Sequence, residues 1–238
     1  MDYYEEMALK ELNKWKKQMR KKPSIAEKAS KGMQNKLNSI LPEKYHEMVT
    51  GAIKNMTKMV LVGSKYITKT PYMGIGLHER ETLVAEVTKR YRTTALVEGA
   101  GTGAGGILLG LADLPLLLSI KIKMLYDIAA AYGYDVHDYR ERIYILGIFQ
   151  LAFSSKRHTN EVFAKMENFQ VYIATLPEDI NDFDWRTFQQ EYRDYIDLAK
   201  LLQMIPGVGA VVGAYVNTKL INKLSKTAVQ AYRMRLFQ

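Results

Sequence analysis

Residues 95–134 read ALVEGAGTGAGGILLGLADLPLLLSIKIKMLYDIAAAYGY, and this stretch decides the fold class. Six glycines lie between Gly99 and Gly110, spaced small-xxx-small at Gly99/Gly103, Gly101/Gly105 and Gly106/Gly110. A glycine inside a helix costs about 1 kcal/mol against alanine, so such a run needs a compensating gain. Close approach of two helix backbones supplies one, since no side chain holds them apart. The uncharged part, 99–112, is only 14 residues long, short of the roughly 20 that span a bilayer. Asp113 follows, and a charge at the bilayer centre costs about 3 kcal/mol. Asp113 is suited instead to cap a second helix with Pro115 in its first turn. The stretch is therefore expected to form a helical hairpin turning near Asp113, buried in a protein core, with shallow insertion into lipid as the second reading and a true span as the third.

The same pattern returns at 201–217, LLQMIPGVGAVVGAYVN. Gly99, Gly103, Gly106, Gly110, Gly209 and Gly213 are thus the expected helix-packing positions. Helical periodicity runs through the rest of the chain. Tyr4, Ala8, Leu12, Trp15 and Met19 form one apolar stripe, opened by an Asp2/Glu5 capping box and ended by Pro23. Ser24 and Glu27 open a second helix that Pro42 stops. A third runs from about Glu43 to Thr70 with Ala52, Met56 and Val60 inward, and 70–77, TPYMGIGL, reads as a loop. Further helices are expected from about His78 and at 138–153, 160–176, 185–204 and 208–236, with Thr159 and Asp184 at N-cap positions. No alternating run is long enough for a sheet, and no repeat or linker divides the chain. The expectation is one all-α domain, its residues 1–42 a basic amphipathic arm and 43–238 the helical body.

Hydrophobic residues make up 47% and charged residues 25%, the balance of a folded protein. The chain has no cysteine, which excludes disulfides and thiolate metal sites. The N-terminal sequence lacks the charged-then-apolar pattern of a secretory signal. Of the net charge of +9, a surplus of eight falls between Lys10 and Lys36. An anionic surface is the expected partner, met by Lys14, Lys16, Lys17, Arg20, Lys21 and Lys22. Helical spacing groups Lys14, Lys17 and Lys21 on one face and Lys16 with Arg20 on the next. No nucleic-acid-binding module accompanies these cations, so nucleic acid is not an expected partner.

No catalytic constellation is present in the sequence. The four histidines are scattered, and His78-Glu79-Arg80-Glu81-Thr82 has threonine where a zinc-protease helix needs its second histidine. Asp135, His137, Asp138 and Glu141 read better as a capped helix start than as a metal site. Gly101, Gly103 and Gly106 form a G-x-G-x-x-G, but a dinucleotide motif needs a strand before it, and Thr93–Glu98 is a poor strand. Glu98 and Asp113, beside apolar runs, are the two candidate functional acids. No metal or cofactor is expected.

GAGTGAGG, ADLP at Ala112–Pro115, AYGYD at Ala131–Asp135, IPGVGAVVGAYVN at Ile205–Asn217 and the closing AYRMRLF together resemble the EcsC family. The resemblance runs from about Lys44 onward. That family is named for an operon that also encodes the ATPase and membrane subunit of an ABC transporter. The resemblance therefore implies a cytoplasmic protein peripheral to the inner face of the membrane, with the Ecs transporter as a partner, and implies no catalytic residue. Two functions remain open. One is a non-enzymatic accessory protein docked on the membrane or a membrane complex. The other is an enzyme or carrier for an apolar or lipid-like ligand held between the glycine-rich helices, which a cavity beside Glu98 or Asp113 would favour.

Overall fold

The computed structural model describes residues 1–21, 43–62, 70–102, 114–154, 156–182, 184 and 210–238. Every regular element among them is helical: α1 (Tyr3–Arg20), α2 (Glu43–Val62), α3 (Leu77–Thr102), α4 (Leu114–Ala131), α5 (Tyr139–Phe153), α6 (Lys156–Glu167), the short α7 (Phe169–Ile173), a 3-10 turn (Ile180–Asp182) and α8 (Ala210–Leu236). The protein is all-α and forms a single domain.

The longest pair, α3 and α8, makes the most extensive helix contact. Its antiparallel register is set by Glu81 against Arg233 and Thr88 against Ser225. Helix α4 returns alongside α3, joined to it through Arg90 with Asp127 and Tyr132 with Glu81. This is the central helical hairpin, and residues 93–98, where a dinucleotide motif would need a strand, are helical in α3. Gly99 falls within α3 and Gly213 within α8. Gly103, Gly106, Gly110, Gly209, Asp113 and the turn of the hairpin lie outside the described residues.

Helix α5 is buried on all sides except at Arg140, Gly147 and Gln150, as expected of a helix that packs against α2, α4, α6 and α8 at once. Asp138 caps it by accepting from Arg140 N (2.9 Å), so the acidic cluster at 135–141 is the capped start that the sequence suggests. Helix α6 differs from expectation. It begins at Lys156, which leaves Thr159 buried in its first turn instead of at an N-cap. The helix expected over 160–176 is also interrupted at Asn168, whose side-chain amide donates to Ala164 O (3.1 Å) and closes α6.

The AYGYD block ends α4. Gly133 N donates to Ala130 O (2.9 Å) and Tyr134 N to Ala129 O (3.0 Å), the paired bonds of a Schellman cap. Gly133 has φ +86°, and a Cβ there would lie 2.6 Å from Arg80 Nη1 and 3.0 Å from the Tyr72 carbonyl oxygen. The conformation and the close backbone both demand glycine. Gly133→Ala should therefore cost about 1–3 kcal/mol, visible as a melting temperature lower by about 2–4 °C per kcal/mol.

Candidate functional site

At the end of the bundle where α4 and α8 finish, two tyrosine–arginine blocks meet. Arg233, nearly buried, donates from Nε and Nη2 to the two oxygens of Glu81 (2.6 Å each) and from Nη1 to Glu11 (2.6 Å). Glu81 also accepts from Tyr4 OH (2.6 Å) and Tyr132 OH (3.0 Å). With four donors its lone-pair sites are filled, leaving none for a metal or a substrate. Burial opposes the charge of Arg233, but the bonds to Glu81 and Glu11 hold its guanidinium above the ordinary value.

Beside it, Arg235 donates to Glu141 (2.5 Å), which also accepts from Tyr232 OH (2.7 Å). The Arg235 guanidinium stands 3.7 Å from the Tyr134 ring centroid and 4.5 Å from that of Tyr144, a cation–π cage. Tyr232 stacks between Tyr132 (5.0 Å) and Tyr134 (5.3 Å). Burial pushes the hydroxyls of Tyr132, Tyr144 and Tyr232 well above the usual phenol range, so each stays protonated and donates. The AYGYD and AYRMRLF blocks thus form one structural knot that joins α1, α3, α4, α5 and α8.

The knot holds α1 in place. Ala8 and Leu12 of its apolar stripe are buried, and Tyr4, Trp15 and Met19 pack partly against the core. Trp15 meets Phe163 edge-on at 5.5 Å. At the other end Lys16 (2.7 Å) and Arg20 (2.7 and 2.9 Å) clamp Glu167 of α6. Burial alone would raise the Glu167 carboxyl, but the hydrogen bonds from Arg20 and Lys16 outweigh it and hold it below the usual carboxylate range. Two of the six cations singled out in the sequence are therefore bound to the body of the protein. Lys14, Lys17 and Lys21 are exposed and form no ion pair among the described residues; Lys22 lies outside them. Lys10 extends their row at a spacing of four, three and four, and Tyr3 (79% exposed) and Met7 (42%) continue it toward the start of the helix. Glu6 and Glu11 are exposed beside this face, and Glu11 is paired with Arg233.

The EcsC protein family model matches residues 6–237, nearly the whole chain. The chain belongs to the EcsC family. Among curated relatives it is similar to Protein EcsC of Bacillus subtilis (strain 168), 42% identical over 98% of this chain and 96% of the relative. It is also similar to the Uncharacterized protein YdbA of the same organism, 28% identical over 95% of this chain and 90% of the relative. No solved structure matches. The family match includes most of α1, so the basic helix is part of the EcsC unit.

Sequence reasoning did not find the roles of Glu81 and Arg233, which lie 152 positions apart and each look like ordinary surface charge. It also missed Lys121, which is buried and donates to Asn217 Oδ1 (2.7 Å) although its neighbour Lys123 is exposed. Of the two candidate acids, Glu98 lies in α3 with its side chain outside the description, as is all of Asp113. No group of metal-ligating residues occurs among the described residues.

The clamp on Glu167 makes a pH prediction. Its folded pKa is depressed, so its stabilisation is present above the unfolded value of about 4.3 and is lost as pH falls through the lower folded value. Glu167→Gln should melt below the parent at pH 7, and the difference should shrink steadily below about pH 4.3. A difference unchanged by acid would show that the carboxylate charge contributes nothing to holding α1.

Proposed function

We propose that this EcsC-family protein is a non-enzymatic accessory that docks through the outer face of α1 on an anionic membrane surface at the cytoplasmic side. Its membrane partner would be the ABC-transporter complex implied by the family's operon. The observation that carries the reading is the row Lys10, Lys14, Lys17 and Lys21, exposed on a helix whose opposite face is anchored in the core. Tyr3, Met7 and Met1 stand exposed at the start of the helix, so apolar groups continue the cationic row. That combination suits the headgroup layer, where cations meet lipid phosphates and short apolar side chains enter the acyl boundary. No helix among the described residues is long and apolar enough to cross a membrane.

The alternative, an enzyme or carrier for an apolar or lipid-like ligand held between the glycine-rich helices, finds a cavity only beside them. A cavity of about 230 Å³ lies between α2 and α4, lined by Met59, Val60, Leu116, Ile120, Ile122 and Tyr126 among others. It is smaller than the roughly 300–1,000 Å³ of most ligand sites, so docking is the preferred reading.

Each lysine at an anionic leaflet contributes about 1 kcal/mol. The fourfold Lys10/Lys14/Lys17/Lys21→Gln variant should therefore bind phosphatidylglycerol-containing vesicles up to roughly a thousandfold more weakly in co-sedimentation. Its melting temperature should remain close to the parent's, since exposed substitutions alter stability little. Lys16→Gln, whose cation is taken up by Glu167, should leave vesicle binding nearly unchanged. Equal binding by the fourfold variant and the parent would refute the docking face.

A further inference from the structure

A second cationic feature lies away from the outer face of α1. Between α3 and α8 runs a groove of about 360 Å³, lined on α3 by Ala85, Thr88, Lys89 and Arg92 and on α8 by Asn222, Ser225, Lys226 and Val229. Both sets follow the three-and-four spacing of a single helix face. The floor is the hydroxyl pair Thr88–Ser225 (2.6 Å), with Thr88 also donating to Val84 O (2.7 Å). Lys89 and Lys226, the next residues on each helix after that pair, both line the groove. Arg92 stands one turn further along, near Asn222, whose half-buried amide has no partner among the described residues.

The electrostatics of the groove are one-sided. Lys89, Arg92 and Lys226 are exposed and form no ion pair among the described residues. Among the described residues the only carboxylate lining the groove is Glu81, and it is already neutralised by Arg233 and saturated by two tyrosine hydroxyls. Three like charges therefore line one concave site, with no unpaired acid in its lining among the described residues. Such an arrangement is repulsive when empty, and the low-dielectric walls focus its field on an entering anion.

We propose that this α3–α8 groove is a binding site for a phosphate-bearing anion, held by Lys89, Lys226 and Arg92 with the Asn222 amide as a further donor. Arg92 supplies a planar fork suited to two phosphate oxygens, and the lysines act as point charges. The site does not depend on α1 meeting a membrane, and it can fail or stand separately from the docking reading.

Thermal unfolding in sodium phosphate, compared with sodium chloride at equal ionic strength, tests it. At phosphate about fivefold above its Kd, the parent should melt about 2–4 °C higher than in chloride. Lys89→Gln/Lys226→Gln should lose that phosphate-specific rise and melt at or above the parent in chloride, because a repulsion has been removed. Lys89→Arg/Lys226→Arg, which keeps both charges, should retain the rise. An equal rise in the glutamine variant and the parent, or none in the parent, overturns the proposal, as does a glutamine variant that melts below the parent in chloride. The source of the phosphate is read with phosphatidylglycerol vesicles. Competition by inorganic phosphate that is lost in the Lys89→Gln/Lys226→Gln variant assigns the groove to a lipid headgroup, whereas vesicle binding unaffected by phosphate assigns it to a soluble phosphate.

Discussion

The buried pair Arg233–Glu81 is the constraint on which the rest of the structure depends. Removing two charges from water costs several kcal/mol for each ion, and only full hydrogen bonding makes that tolerable. Here the cost is offset because Arg233 reaches two carboxylates and Glu81 receives four donors from α1, α4 and α8. No one helix can complete the set. Loss of either partner leaves a buried charge uncompensated, a defect worth about 3–5 kcal/mol. The pair therefore demands that α1, α3, α4 and α8 adopt one mutual arrangement, which packing of apolar faces alone would leave looser.

The aromatic residues around it extend this specificity. Tyr132, Tyr134, Tyr144 and Tyr232 stack or tilt against one another, and all but Tyr134 direct a hydroxyl to an acceptor within the protein. Large flat rings fill the volume between helices while their hydroxyls satisfy buried acceptors, which phenylalanine could not do. Arg235 in turn gives the ring faces a cation and Glu141 a counter-charge. Two of the blocks that carry the family resemblance, AYGYD and AYRMRLF, are thus explained by a folding task.

Much of the fold is legible in the sequence because helical spacing reports burial directly. The stripe Tyr4, Ala8, Leu12, Trp15, Met19 is the face that packs on the core, and the Asp2/Glu5 box opens α1 as read. The loop at 70–76 and the α3–α4 hairpin were equally readable from glycine, proline and charge placement. The site was only half legible. A row of lysines shows which cations share a face, but not that Lys16 and Arg20 turn to Glu167 while Lys14 and Lys17 do not. Pairing across 147 or 152 positions leaves no local periodic mark, and neither does the burial of Lys121 in SIKIKM. The break at Asn168 escaped notice because neither proline nor glycine signals it.

The contact between Glu11 and Arg233 spans 222 positions, and this has a consequence for the order of assembly during translation. At about 5–20 residues per second, Arg233 follows Glu11 by roughly 10–45 s. Throughout that interval the inward face of α1 has no α8 to cover Ala8 and Leu12. In a nascent chain the inward face of α1 can meet only α3 and α6, through Tyr4 with Glu81 and Lys16 and Arg20 with Glu167, until synthesis of the last helix completes its cover.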